Sequence, residues 1–138
     1  RAEAVVVDFG TATTFDCVTG DGRVIGGAIM PGLRTSADQL TRLAAKLPAT
    51  ELAAPERVIG RRTEECIRAG VLFGAADAAD GMLRRIFAEW PTVTKPVVIA
   101  TGGLAGIIAP FSALIRQIEP DLMLRGLRIA ASHLGLRW

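Results

Sequence analysis

No tyrosine occurs in this chain of 138 residues, and the aromatic share is only 5%. A stacking platform for single-stranded nucleic acid needs interleaved aromatics and a dense basic stripe. Here the arginines are scattered, Arg61-Arg62 and Arg84-Arg85 being the only adjacent basic pairs, and the net charge is +2. A nucleic-acid partner is not expected. Histidine occurs once, at His133, which argues against a histidine-based triad or metal cluster. Two cysteines, Cys17 and Cys66, make neither a disulfide framework nor a zinc site. No apolar run reaches the roughly 18 residues of a membrane-spanning helix. Arg1-Ala2-Glu3-Ala4 lacks a signal-peptide pattern. A soluble cytoplasmic protein without a membrane partner is expected.

What is present reads as one α/β domain. Half the residues are hydrophobic and 22% are charged, enough to build a packed core. Val5-Val6-Val7 is a β-branched run of the kind found in strands buried on both faces. Thr19-Gly20-Asp21-Gly22 predicts a hairpin turn. A second strand follows over residues 23–30, stopped by Pro31-Gly32. Thr35 is expected to cap a helix with Asp38 reaching back. Leu40, Leu43 and Leu47 mark that helix's buried face, and the three methionines read as core. A short strand is expected at Val58-Ile59.

Thr63 is expected to cap a long helix running to about Trp90, with Glu64 and Glu65 suiting its positive end. Gly70 and Gly74, four residues apart, would let another backbone approach, either within the domain or from a second subunit. Val97 to Ala100 predicts a further buried strand, then Thr101-Gly102-Gly103 and a helix from Leu104 that Pro110 limits. The remainder predicts a short helix at residues 114–118, an extended Leu122-Met123-Leu124 and a terminal helix over residues 126–136. The chain lacks an initiating methionine and begins just before a strand, so it is expected to be a piece of something longer.

Three glycine-bearing stretches could carry chemistry. Asp8-Phe9-Gly10-Thr11-Ala12-Thr13-Thr14 ends a strand with a carboxylate that is costly to bury unless it meets a cation or donors. Its glycine admits close approach, and its threonine hydroxyls could meet phosphate or a cation. Gly26-Gly27 is the second stretch, and equally fits a β-bulge. Gly102-Gly103, between strand and helix, could offer backbone N–H groups to phosphate. Asp8-Phe9-Gly10 spells the protein-kinase magnesium motif, but no His-Arg-Asp or Ala-Pro-Glu element accompanies it. Neither a Gly-x-x-x-x-Gly-Lys loop nor a Gly-x-Gly-x-x-Gly fingerprint occurs.

Taken in order, these stretches form a pattern. It runs through Asp8-x-Gly10-Thr11, Gly26-Gly27-Ala28-Ile29-Met30-Pro31-Gly32-Leu33, Leu47-Pro48, Ile59-Gly60-x-x-Thr63-Glu64-Glu65, Ala69-Gly70-x-x-x-Gly74, Thr101-Gly102-Gly103-Leu104-Ala105 and Leu122-Met123-Leu124-x-Gly126-Leu127. It resembles the C-terminal half of the type III pantothenate kinases along essentially the whole chain. The resemblance implies a ribonuclease-H-like domain of the acetate kinase/sugar kinase/Hsp70/actin superfamily, a mixed sheet flanked by helices. Residues 1–138 would be the C-terminal domain of a two-domain kinase whose N-terminal domain is absent.

The implied activity is ATP-dependent phosphorylation of pantothenate to 4′-phosphopantothenate, the first step of coenzyme A biosynthesis. Magnesium and a monovalent cation, potassium or ammonium, would assist a homodimer. Residue by residue, the resemblance implies that Asp8 holds the monovalent cation. Gly10 and Thr11 would meet the ATP phosphates, Gly102 and Gly103 the nucleoside, and Thr63 pantothenate. The family's Asp-x-Gly-Asn and Gly-x-Asp-Arg elements have no counterpart here. No catalytic base is therefore expected in this chain, and the fragment alone is expected to be inactive. Two alternatives stay open: a non-enzymatic homologue acting as a transcriptional accessory factor, and another kinase of the same superfamily.

Overall fold

The computed structural model describes residues 2–44 and 46–136. Its centre is a five-stranded mixed sheet in the order β3-β2-β1-β4-β5. The strands are β1 (Ala4–Phe9), β2 (Ala12–Val18), β3 (Val24–Pro31), β4 (Val97–Thr101) and β5 (Gln117–Ile118). β1, β2 and β3 form an antiparallel meander, while β4 runs parallel to β1 and β5 parallel to β4. The α/β expectation holds, as does the hairpin turn at residues 19–22. There Gly22 takes φ 88° and its N–H bonds the Thr19 carbonyl at 2.8 Å.

Gly26-Gly27 forms a β-bulge: Cys17 pairs with Gly26 but Val18 pairs with Val24, so Ile25 is extra, and Gly26 adopts φ 129°. β1 is buried on one face only. Val5, Val7 and Phe9 are sealed, whereas Val6 and Asp8 are half-buried. The β-branched run therefore belongs to a mixed sheet covered mainly on one side, not to a strand enclosed by two helix layers.

The helices are α1 (Leu33–Leu43), α2 (Thr63–Ala88), α3 (Ala105–Ile108, extended by a 3-10 turn over Ala109–Phe111) and α4 (Leu122–His133). α2 is the long helix expected. Its Leu72, Ala76, Ala79 and Leu83 join Val5, Val7, Phe9, Phe15 and Ile108 in the core. Alanines at the contact let the helix approach the sheet closely. Asp80, buried in the middle of α2, accepts hydrogen bonds from the Ser112 hydroxyl, the Ala113 N–H (2.7 Å) and the Leu114 N–H (3.3 Å). It pins the segment leading into β5, so residues 114–116 are irregular, Gln117–Ile118 form the strand, and the helix expected at 114–118 does not form.

Other expectations are overturned as well. Thr63 is not the cap of α2 but its first residue, after Arg62, and no side chain caps there. The Glu65 carboxylate instead accepts the Arg61 N–H at 2.8 Å. Thr35 is the third residue of α1, whose cap is Gly32. The buried face of α1 is Leu33 and Ala37, while Leu40 and Leu43 are exposed. Val58-Ile59 forms no strand; both side chains are exposed and nothing beside them offers a ladder. Leu122-Met123-Leu124 is the first turn of α4 rather than extended, and Met123 is exposed. Among the described residues nothing lies within 4 Å of a side chain built at Gly70 or Gly74, so no other described backbone closes on them.

Candidate functional site

β1 and β4 lie side by side and parallel, with Asp8 opposite Thr101. Both chains leave the sheet at the same end, and crevices beyond the carboxyl ends of parallel strands are where α/β sheets bind ligands. β1 continues into the Gly10-Thr11 turn and β4 into Gly102-Gly103. The Leu104 N–H ties the second loop to the first strand through the Phe9 carbonyl, at 3.1 Å. The result is a cavity of about 350 Å³ lined by Phe9, Gly10, Thr11, Arg34, Thr35, Asp38, Gly103 and Leu104. A larger groove of about 390 Å³, between β3 and the end of α2, shares none of these residues.

Gly102 has φ 91°, and a Cβ there would stand 2.3 Å from Asp8 Oδ1 and 2.7 Å from the Phe9 carbonyl oxygen. Only glycine fits between the carboxylate and the loop. Asp8 is thus half-buried at the strand end, directly behind Gly102. Among the described residues its carboxylate has no hydrogen-bond or ion-pair partner. A partly desolvated anion without a donor suits a cation. No group of three or more metal-binding side chains occurs among the described residues, so a divalent ion would find no protein cage here. Gly103 faces open space with nothing within 4 Å. The helix after it is a single turn, too short to add a strong dipole to the backbone N–H groups of Gly102-Gly103.

Thr11 is exposed, and its carbonyl is held by the Gly32 N–H at 3.1 Å and the Thr35 hydroxyl at 2.6 Å. The structure therefore brings together Gly10, Thr11 and Gly103 on one cavity, with Gly102 and Asp8 immediately behind. It does not bring Thr63 to them. Thr63 opens α2, beside the Arg61 and Arg62 bonds to Glu65. The Arg61 N–H, then the Arg62 side chain, hold the Glu65 carboxyl below its ordinary pKa. Arg34, Thr35 and Asp38 line the cavity but were not singled out from the sequence as ligands; the Thr35-to-Asp38 spacing read as a helix cap. Their one sequence signal was adjacency to Pro31-Gly32. Cys17, in the other groove, is buried, and burial followed by the nearby Asp16 charge pushes its thiol pKa up. It is no activated nucleophile. Cys66 is exposed and its thiol meets the Gly60 carbonyl at 3.4 Å.

The family model for type III pantothenate kinase matches residues 1–85. Type III pantothenate kinases from Moorella thermoacetica and Desulfosudis oleivorans are 48% and 49% identical over 126 and 133 residues. These matches cover 91% and 96% of this chain, and 49% and 51% of the relatives. The chain spans about half the length of the curated relatives it matches. Among solved structures, a Campylobacter jejuni protein described as a conserved Baf family transcriptional activator superposes with TM-score 0.68 at 19% identity. That match covers 97% of this chain and 59% of the other. The activator of 2-hydroxyisocaproyl-CoA dehydratase from Clostridium difficile, with bound ADPNP, gives 0.50 at 14% identity. It covers 98% and 64% of the two chains. These two show the fold, a mixed sheet flanked by helices. At nearly half identity over nine-tenths of its length, and with the family pattern running from β1 to the end of α2, the chain belongs to the type III pantothenate kinase family.

Proposed function

We propose that this chain supplies one wall of the ATP site in an enzyme that moves the γ-phosphoryl group of ATP to pantothenate, giving 4′-phosphopantothenate. The observation that carries the reading is the convergence of Gly10-Thr11 and Gly102-Gly103 at the ends of two adjacent parallel strands, with the Asp8 carboxylate packed behind. Phosphoryl transfer asks little covalent chemistry of a protein; it needs positioning and compensation of charge. Gly10 lets phosphate oxygens approach the backbone, and the Thr11 hydroxyl donates to them. Gly103 leaves room for the nucleoside. Asp8 would hold a monovalent cation, which when bound supplies positive charge near the phosphates. Magnesium would arrive with the nucleotide, since magnesium is commonly held largely by substrate phosphates. Thr63, outside this cavity, would meet pantothenate.

The chain would then be the C-terminal ribonuclease-H-like domain of a two-domain cytoplasmic enzyme, with the catalytic base and the second wall contributed by the other domain. Relatives of about twice the length support this. So does α4, whose Met123, Leu124, Leu127 and Ile129 are 57–67% exposed. The homodimer implied by the family would use the open face of α2 around Gly70 and Gly74. The test is an assay of ATP-dependent 4′-phosphopantothenate formation. The full-length protein is expected to be active and the isolated 138-residue chain inactive. Turnover by the isolated chain would overturn the two-domain reading, and no turnover by the full-length protein would overturn the kinase reading.

A further inference from the structure

Thr35 is the third residue of α1, in its first turn. Within a helix a threonine hydroxyl commonly bonds back to the carbonyl four residues earlier, which for Thr35 would be that of Pro31, before the helix begins. It does not. It crosses to the carbonyl of Thr11, 24 residues away, at 2.6 Å. The same carbonyl accepts the Gly32 N–H at 3.1 Å. Both lone pairs of that one oxygen are therefore taken by the start of α1. The contact is so close that a Cβ at Gly32 would stand 2.4 Å from the carbonyl oxygens of both Gly10 and Thr11. Within the turn itself, the Gly10 N–H bonds the Ala12 carbonyl at 3.0 Å. The tip of an exposed hairpin is normally among the most mobile parts of a fold; this one is fastened from below. Thr35 and Thr11 also line the same cavity.

We infer that Thr35 is a positioning residue for nucleotide phosphate. By fixing the Thr11 carbonyl it fixes the Thr11 peptide plane, and so the direction in which the Thr11 side chain leaves the backbone. Thr11 lines the cavity, and its hydroxyl has no partner among the described residues, so it is free to meet a phosphate from a fixed backbone. The inference rests on the proposed role of Thr11 toward ATP. Groups that meet a phosphoryl donor lose their effect when displaced by about 1 Å, so a fastened turn is worth more here than its single hydrogen bond is worth to stability.

The test compares Thr35→Val, which keeps the shape and removes the donor, with Thr35→Ser, which keeps the donor. Both are made in the full-length protein and assayed for pantothenate phosphorylation. Affinity for the non-hydrolysable analogue ADPNP is measured by calorimetry on the same samples. Loss of one charge-assisted hydrogen bond's worth of alignment predicts that Thr35→Val raises KM for ATP and weakens ADPNP binding about tenfold. KM for pantothenate should stay within about twofold, and Thr35→Ser should restore ATP KM to within about twofold. Unchanged nucleotide affinity in Thr35→Val would overturn the inference. So would an equal loss for both substrates, or no rescue by serine, either of which would mark a purely structural residue. If the wild-type protein bound ADPNP but left pantothenate untouched, the kinase assignment would fail, while the calorimetric comparison would still decide the role of Thr35.

Discussion

Asp8 and Gly102 depend on each other. The glycine's positive φ and missing Cβ make the space in which the carboxylate sits, and the carboxylate gives that space its charge. Gly102→Ala would strain the backbone and push a methyl group into Asp8 Oδ1 and the Phe9 carbonyl. It is expected to destabilise the chain by about 1–3 kcal/mol and to displace the carboxylate. On the proposed cation role, Asp8→Asn, which keeps the shape and removes the charge, should leave the melting temperature nearly unchanged while flattening any response of full-length activity to added potassium. An undiminished potassium response in Asp8→Asn would remove the cation role, and a Gly102→Ala variant as stable as the parent would remove the packing argument. That Asp8, Gly10 and Gly102 lie together could be anticipated from the sequence, because chemistry and backbone geometry both single out their residue types. Thr35 was misread because the local cap signal was strong and its true partner lies in another element. No pattern within a few residues of Thr35 reveals that contact.

Elements with a dense local signal emerged as the sequence implied. The Asp-Gly hairpin turn, the glycine bulge and the long α2 each carry their own instructions. Residues 114–118 failed because their conformation is set from outside, by Asp80 and by the edge of β4. Leu122-Met123-Leu124 failed because an apolar triplet has no period to separate helix from strand. At the start of α2 a carboxylate of the first turn, not a hydroxyl cap, fastens the chain entering the helix. Glu65 reaches back to the Arg61 N–H and pairs with Arg62 at 2.9 Å, an arrangement like half of a capping box. Its pKa is lowered below the ordinary 4.5 by the Arg61 N–H first and Arg62 second. A depressed carboxyl pKa favours the folded state above the unfolded value, and that contribution is lost as pH falls through the folded value. The first turn of α2 should therefore fray as pH drops below about 4.5. Carbon-detected NMR of the Glu65 carboxyl should give a midpoint under 4.5, with Arg61 amide exchange accelerating over the same range after correction for intrinsic rates. A midpoint at or above 4.5 would show that the Arg61 N–H and Arg62 do not hold the carboxylate.

At the scale of the whole molecule, the two sides of the sheet differ. α2 and α3 pack the core on one face, whereas Val6 and Ile99 on the other are only half-buried and Val97 is exposed. α4 adds to the imbalance, since Ala131 is its one buried residue while Met123, Leu124 and Leu127 are 67%, 65% and 57% exposed. A contiguous apolar helix face left in water marks a surface that something covers. In the two-domain reading the cover is the other domain, and this makes the effect of a substitution depend on context. In the isolated chain, replacing Met123, Leu124 and Leu127 together by glutamine removes little buried area. Each replacement should shift stability by less than about 0.5 kcal/mol while reducing self-association in light scattering. In the full-length protein the same side chains would be enclosed, and each should cost on the order of 1.5–3 kcal/mol. Denaturant unfolding of both pairs of proteins separates the cases. If the triple variant destabilises the isolated chain as much as the full-length protein, α4 already has its packing partner within these residues. The apolar face would then say nothing about a second domain.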